Sequence, residues 1–358
     1  MKPAFVLALH RRLALVFAPL LLLQALTGMA LAFHAPLARL ADPAAMVCRT
    51  PATAPAVPVS ALRHAAERAF PGYQVSRLFF ADVPQAAAFA QLSDPAGRVR
   101  YVTLDPGDGR VLAAGTVWRF PFELALQLHY RLLAGSAGLV IVTLNGVALA
   151  LIAGTGLWQW WPGRGRVLAA LKIRKGLPAR LRLRQQHRSF GAMAAVVALF
   201  SAMTGLALAI PDLAWPGAAP GAVPSPTPVV LADPRIDAAI ALAARQFPDA
   251  PLRDVRFGAD GVLAVNLFAA SQAPRAFDTV RVDARSGVVL ASVPAAENPA
   301  LWTTALPLHT GETFGMAGRL VILLEAAVLV FLSLSGPLLW WRARATRRAR
   351  TPNQGASR

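Results

Sequence analysis

Cysteine is all but missing from this chain of 358 residues, in which Cys48 stands alone. A single thiol excludes an intrachain disulfide framework, a cysteine-held iron–sulfur cluster and a CxxCH site for covalent haem. Any redox chemistry therefore falls to a noncovalent cofactor, with histidine as the available ligand. Charge is scarce as well, at 15%, and only 18 residues are acidic. Ordinary soluble domains carry about 25% charged residues, whereas this composition is 56% hydrophobic and points to a membrane protein. The shortage of acid leaves 36 Lys and Arg unbalanced at a formal net charge of +18. In a soluble protein that balance would raise the question of nucleic acid.

The charges fall where a membrane topology puts them. Four apolar stretches match the ~20 residues that a helix needs to cross about 30 Å of hydrocarbon: 13–33, 136–161, 189–210 and 317–341. Three basic residues lie in 1–12, nine in 162–188 and six in 342–358, with no acidic residue in any of these segments. The other 18 basic residues match the 18 acidic ones, so the remainder of the chain is formally neutral. The positive-inside bias then places both termini and the 162–188 loop in the cytoplasm and the two long segments, 34–135 and 211–316, on the opposite side. Topology thus accounts for the basic residues, and no nucleic-acid partner is expected. The first stretch also has the form of a signal peptide, with Lys2, Arg11 and Arg12 before it and Ala30-Leu-Ala32 near its end.

An internal repeat argues against cleavage. At an offset of 177 to 180 residues, His10-Arg11 and Thr27-Gly28 match His187-Arg188 and Thr204-Gly205, with 18 residues from His to Gly in both. His129 precedes Gly156 as His309 precedes Gly336, by 27 residues in both, and each Gly is followed by a Trp pair, Trp160-Trp161 or Trp340-Trp341. Phe70-Pro71 likewise matches Phe247-Pro248, and the turn at 105–109 matches that at 283–287. The expected fold is a four-transmembrane-helix bundle from a tandem duplication, with two small α+β modules on the outer side. Both copies cross in the same sense, which implies a pseudo-twofold axis along the membrane normal. The first helix then has an internal counterpart that no signal peptidase removes.

Each module reads as an amphipathic helix followed by alternating strands, near 59–70 and 74–104 in copy one and 233–247 and 253–282 in copy two. Neither shows a nucleophile–base pair, a metal-ligand cluster or a phosphate loop. Pro-rich linkers at 50–58 and 211–228 join them to the helices.

The histidines carry the chemistry. His10 and His187 fall at one membrane depth and His129 and His309 at the other, so the symmetry predicts two facing pairs. Two imidazoles at one depth supply both axial ligands of a haem iron suited to electron transfer. Glycines on these helices, Gly28, Gly135, Gly138, Gly156, Gly205, Gly315, Gly318 and Gly336, leave room for a flat macrocycle. The competing reading is that helix-end histidines are interfacial residues. His34, at the end of the first helix, has Pro211 at its repeat position and is a further candidate ligand. Glu325 is an intramembrane carboxylate with Asn145 at its repeat position, a candidate polar or proton site. It is expected to accept a proton, to pair with Arg319 or Arg131, to bond a histidine, or else to snorkel to water.

The segments from His10-Arg-Arg-Leu to Leu26-Thr-Gly28, from Leu128-His-Tyr-Arg to Trp160-Trp161, and from Leu308-His-Thr-Gly to Trp340-Trp341 resemble the PepSY-associated transmembrane family, and the Phe-Pro and Asp-x-x-x-Gly turns resemble PepSY domains. The resemblance runs from about Pro3 to Arg344. It implies a bacterial inner-membrane protein with periplasmic PepSY-like modules, similar to ferric-siderophore reductases that bind b-type haem in the bundle. It carries the haem-ligand role to His10, His187, His129 and His309, for one or two noncovalent haems. The expected activity is transfer of electrons from a cytoplasmic or quinone donor to a periplasmic ferric siderophore or other ferric chelate. The alternative is a non-enzymatic, membrane-anchored sensory or scaffold protein whose modules bind a periplasmic partner. A permease is disfavoured by four helices without discontinuous segments.

Overall fold

The structure, a computed structural model, describes residues 3–51, 55–81, 83–214, 232–269, 274–298 and 301–350. In chain order it begins with α1 (Pro3–Leu31), whose internal Pro19 a membrane-spanning helix tolerates. There follow α2 (His34–Ala41), α3 (Pro43–Met46), α4 (Val59–Ala69) and the strands β1 (Gln74–Phe79), β2 (Ala88–Ser93), β3 (Val99–Leu104) and β4 (Val111–Gly115). Then come α5 (Pro121–Arg131), α6 (Gly135–Trp160), α7 (Val167–Leu171) and α8 (Ala179–Ala214). The remainder runs α9 (Asp233–Ala244), β5 (Leu252–Phe257), β6 (Val262–Phe268), β7 (Phe277–Asp283), β8 (Val288–Val293), α10 (Leu301–His309) and α11 (Gly315–Arg350).

Two compact units result, one of helices and one built on the sheet. The helical unit holds residues 1–32, 125–213 and 308–358. Four of its helices are long and apolar enough to cross a membrane: Ala4–Leu31, Gly135–Trp160, Ala179–Ala214 and Glu312–Ala345. Val16, Leu144, Val196 and Leu324 on these four helices are exposed, as side chains that meet lipid should be. α1 packs along both α6 and α11, and His10 near its start bonds into α6, so the first helix is an integral member of the bundle. The helices outrun the apolar stretches mainly at their basic ends, because Arg180, Arg182 and Arg184 extend α8 by nearly three turns with good helix formers.

The expected module boundaries, 34–135 and 211–316, shift. Residues 125–135, 211–213 and 308–316 belong with the helices, and Pro211 sits inside α8 rather than in a linker. The rest of that expected linker, from 215, lies outside the described residues. His129 and His309 therefore sit not on the spans but on the short helices α5 and α10, each followed by a sharp corner. Leu132 and Leu133 take positive φ of 51° and 57° at one corner, and Gly311 and Gly315 take 77° and 60° at the other. A Cβ on Gly138 would lie 1.6 Å from the Arg131 carbonyl oxygen, and one on Gly318 would lie 2.2 Å from that of Gly311. These two glycines admit the preceding turn and are not, as expected of Gly138 and Gly318, space for a macrocycle.

The sheet unit corrects the expectation of two separate modules. All strands join one eight-stranded antiparallel sheet in the order β4-β3-β2-β1-β5-β6-β7-β8. β1 and β5 pair with Leu78 opposite Val255, flanked by Arg77 opposite Arg256 and Phe79 opposite Asp254. Each is the edge strand of its own half, and pairing them satisfies backbone groups that a lone four-stranded module would leave open. α4 and α9 lie over one face, where Leu62, Ala66, Leu78, Val102, Ile236, Val255, Leu263 and Val280 form a continuous core. Residues 177 apart in sequence also meet across the junction: Ser60 hydrogen-bonds Asp237, and Arg77 pairs with Asp254. Truncating a fully buried leucine such as Leu78 at this seam should cost about 2–5 kcal/mol.

Candidate functional site

Within the helical unit all four repeat-related histidines make one kind of contact. Each lays its ring against a glycine of another helix and turns Nδ1 toward the Thr or Ser that precedes that glycine. His129 Nδ1 is 3.0 Å from Thr27 Oγ1 and 3.1 Å from the Gln24 carbonyl oxygen. His309 repeats this on α8, at 3.1 Å from Thr204 Oγ1 and 3.1 Å from the Ser201 carbonyl oxygen. His10 reaches α6, at 3.0 Å from the Ile152 carbonyl oxygen and 3.2 Å from Thr155 Oγ1. His187 reaches α11 through Ser335 Oγ alone, at 2.7 Å.

A carbonyl oxygen can only accept, so at His10, His129 and His309 the proton sits on Nδ1. Thr27, Thr155 and Thr204 donate their own hydroxyls to carbonyls one turn back, leaving their oxygens to accept from the imidazoles. A neutral imidazole protonated at Nδ1 carries its lone pair on Nε2, the tautomer prepared for metal ligation by its second-shell bond. The glycines are part of the device: a Cβ at Gly28, Gly156 or Gly205 would stand 3.1–3.2 Å from the Cε1 of its histidine, and one at Gly336 would stand 3.4 Å away. They cradle the rings themselves.

His129 and His309 face each other with ring centroids 6.3 Å apart and planes inclined at 51°. Two imidazoles sharing one ion at about 2.0–2.1 Å per metal–nitrogen bond place their ring centres about 6 Å apart. Both residues are partly buried. His10 on α1 and His187 on α8 lie within electrostatic reach of each other. Among the described residues no group of three or more His, Cys, Asp and Glu stands ready for a metal ion.

The other candidates fare differently. His34 opens α2, is exposed, and falls in the sheet unit rather than the helical one. Glu325 does not snorkel, since it is only 5% exposed. Nor does it pair with either expected arginine, because Arg131 bonds Asp212 and Arg319 bonds Glu312. Instead Ser201 Oγ donates to Glu325 Oε2 at 2.6 Å, and Oε1 is buried without a partner. The same Ser201 offers its carbonyl to His309, so one residue links carboxyl and imidazole. Asn145, also buried, leaves Oδ1 without a partner.

Sequence reasoning missed Asp212. Buried near the end of α8, it accepts from Tyr130 Oη at 2.7 Å and pairs with Arg131 beside His129. Its repeat position holds Ala35, so the duplication pattern offers no signal for it. The hydroxyls of Thr27, Thr155, Thr204 and Ser335 were also missed as partners, although the recurrence of Thr-Gly or Ser-Gly before each ring site is visible in the sequence.

A family model described as the PepSY-associated TM region matches residues 7–343. No curated protein matches the chain.

Proposed function

The chain belongs to the PepSY-associated TM region family, and from that premise we propose that it is an inner-membrane b-type haem protein that passes electrons across the bilayer to ferric iron. The observation that carries this reading is the facing pair His129 and His309, 6.3 Å between centroids, with both Nδ1 atoms engaged. His10 and His187 are the corresponding pair at the other end. Each pair holds one haem, whose iron supplies one-electron redox chemistry when bound. Two sites are needed because a single one does not bridge about 30 Å of hydrocarbon.

The chain's own groups do the rest. Thr27, Thr155, Thr204 and Ser335 orient the rings, and the glycines let the helices close on them. Glu325, joined through Ser201 to the His309 ring, takes up a proton that compensates an added electron. The positive-inside bias of the basic segments supports an orientation with both termini and the His10/His187 end in a bacterial cytoplasm and the sheet in the periplasm. The repeated halves arose by duplication. In this reading a cytoplasmic or quinone donor would supply electrons at the His10/His187 end, and a ferric siderophore or related chelate would accept them at the His129/His309 end. Ferrous ion then leaves, because hard oxygen donors hold it less tightly than ferric ion.

The absorption spectrum of the detergent-purified protein tests this directly, oxidised and then dithionite-reduced. Sharp reduced α and Soret bands are expected, with two haems per chain by pyridine haemochrome. A colourless preparation from haem-replete cells would sink the reading and leave the membrane-anchored scaffold.

A further inference from the structure

The sheet unit carries a row of cations that its fold does not require. In strand register Arg77 on β1 stands opposite Arg256 on β5, Arg256 opposite Ala264 on β6, and Ala264 opposite Arg281 on β7. Along their strands these arginines alternate with Leu78, Val255, Val280 and Val282, which fill the helix-covered core. The row therefore lies on the other face of the sheet.

One buried carboxylate sits at its centre. Asp254 Oδ1 accepts from Arg77 Nε at 2.9 Å, Asn266 Nδ2 at 3.0 Å and Arg256 Nε at 3.3 Å, and Oδ2 accepts from Arg253 Nη1 at 2.9 Å. Three guanidiniums against one carboxylate leave two positive charges in excess. The nearest further acid along that face of β7, Asp283, is engaged by its own turn, accepting from the Arg285 amide and the Ser286 hydroxyl.

Neutralising Asp254 takes one arginine, and like charges directly opposite on neighbouring strands destabilise a sheet. Burial adds to the cost and pulls Arg77 down to about 10, against the opposing pull of Asp254. The guanidiniums are also held flat: Arg77 lies 3.7 Å over the Phe79 ring and Arg253 4.4 Å over Phe277. Between Arg256 and the exposed Arg281, Ala264 presents only a methyl group. At about 4.8 Å per strand spacing, that leaves a notch roughly 10 Å wide at the backbone between two guanidiniums.

We propose that this row is a binding site for a net-negative ligand with carboxylate-type oxygens, which, if the electron-transfer reading holds, is an anionic ferric chelate. Planar guanidiniums match such oxygens in pairs, and the excess charge discriminates against neutral or cationic chelates.

The test uses the full-length protein in detergent, with gallium(III) citrate as a redox-inert probe and the neutral gallium tris-acetohydroxamate as control, by calorimetry. Citrate should bind preferentially, more weakly as salt rises, and about tenfold more weakly in Arg281→Gln, with a larger loss when Arg256→Gln is added. Arg281 is exposed, so its variant folds even where Arg256→Gln does not. Equal affinity for the two gallium complexes, or an unchanged affinity in Arg281→Gln, overturns the site. Nanodiscs separate the two sources of anionic oxygen: citrate binding lost in phosphatidylglycerol but kept in phosphatidylcholine gives the row to a lipid headgroup and overturns the chelate. A colourless protein that binds citrate through the row refutes the electron-transfer reading and keeps the anion site. A haem protein indifferent to Arg281→Gln does the reverse.

Discussion

The two halves of the helical unit repeat one contact and differ in the charges around it. In the first half α1 and the α5–α6 segment exchange histidines, His10 onto Gly156 and His129 onto Gly28; in the second, α8 and the α10–α11 segment do the same, His187 onto Gly336 and His309 onto Gly205. Each half therefore orients its own rings, and the facing pair His129 and His309 forms where the halves meet. The polar surroundings are not repeated. Tyr130 and Arg131 beside His129 bind Asp212, whereas Thr310 and Gly311 follow His309. Gln24 donates to the Leu128 carbonyl in the first half, while its counterpart Ser201 donates to Glu325 in the second. What is duplicated is ring geometry, and what has diverged is charge. Each proposed site takes one ring from each half, but Arg131, Asp212 and Glu325 all lie at the His129/His309 end, so the two proposed sites should be alike in ligation and unlike in potential.

The largest expected effect breaks the pairing itself. His129→Ala or His309→Ala should each remove the same haem, and His10→Ala or His187→Ala the other, so that haem per chain falls from two to one in every case. Loss of neither haem, or of both from one substitution, would refute pairs assembled across the halves. Next comes the ion pair between Arg131 of the first half and Asp212 of the second, whose repeat positions hold Gly311 and Ala35. Arg131→Leu leaves Asp212, 2% exposed at its side chain, as a buried unpaired charge, which costs about 3–5 kcal/mol. Thermal unfolding in detergent should register the loss, and adding Asp212→Asn should recover most of it. An equal loss in the double variant would mean that the arginine acts through packing alone.

Much of this architecture is legible in the sequence, and the limits have physical causes. The four spanning helices show because hydrocarbon thickness sets their length, and the strands show because one face of each is buried and alternates. Joining of the halves into one sheet does not show: β1 and β5 have the same alternation as any half-buried strand, and their meeting depends on edge complementarity in space. The corners after α5 and α10 hide in an apolar run, since Leu132 and Leu133 are ordinary helix formers forced to positive φ. At the histidines, a repeat of His, Thr or Ser, and Gly marks the positions, but which hydroxyl meets which ring depends on helix packing. Asp212 has its partners far away in sequence, Asp254 meets Arg77 from 177 residues away as well as Arg253 and Arg256 beside it, and neither lies on a repeated motif.

Substituting the glycines sharpens the comparison at smaller amplitude. The space left for a methyl is tightest at Gly28 and Gly156, at 3.1 Å from the ring carbon, and loosest at Gly336, at 3.4 Å. His129 is also tied by two acceptors, whereas His187 has one. Gly28→Ala should therefore displace a ring that cannot yield freely and lower haem retention roughly tenfold, about 1–2 kcal/mol. Gly336→Ala should leave retention within about twofold, because the His187 ring can move around its single bond to Ser335. Equal effects at both glycines would show that the rings are held by the haem and not by the helices.

The smallest contrast belongs to the equivalent turns of the sheet unit, Asp105 and Asp283. Asp105 is 1% exposed and accepts from the amides of Arg49, Thr50 and Gly107. Burial alone would raise its carboxyl, but the amide bonds outweigh burial and hold it below the usual range. Asp283 is also held low, chiefly by the Ser286 hydroxyl, within its own exposed turn. A carboxyl with a depressed folded pKa adds stability that is fully present above the unfolded value of about 3.9 and disappears as pH falls through the folded value. Both turns should therefore weaken only in acid, below about pH 4. Because Asp105 ties its turn to a segment more than fifty residues away, Asp105→Asn should lower the unfolding temperature at neutral pH and flatten its acid dependence. Asp283→Asn, which loosens only local bonds, should do neither measurably. Unfolding curves at pH 7 and pH 3.5 check the pair, and similar responses at both positions would mean that the two turns are energetically as alike as they are in sequence.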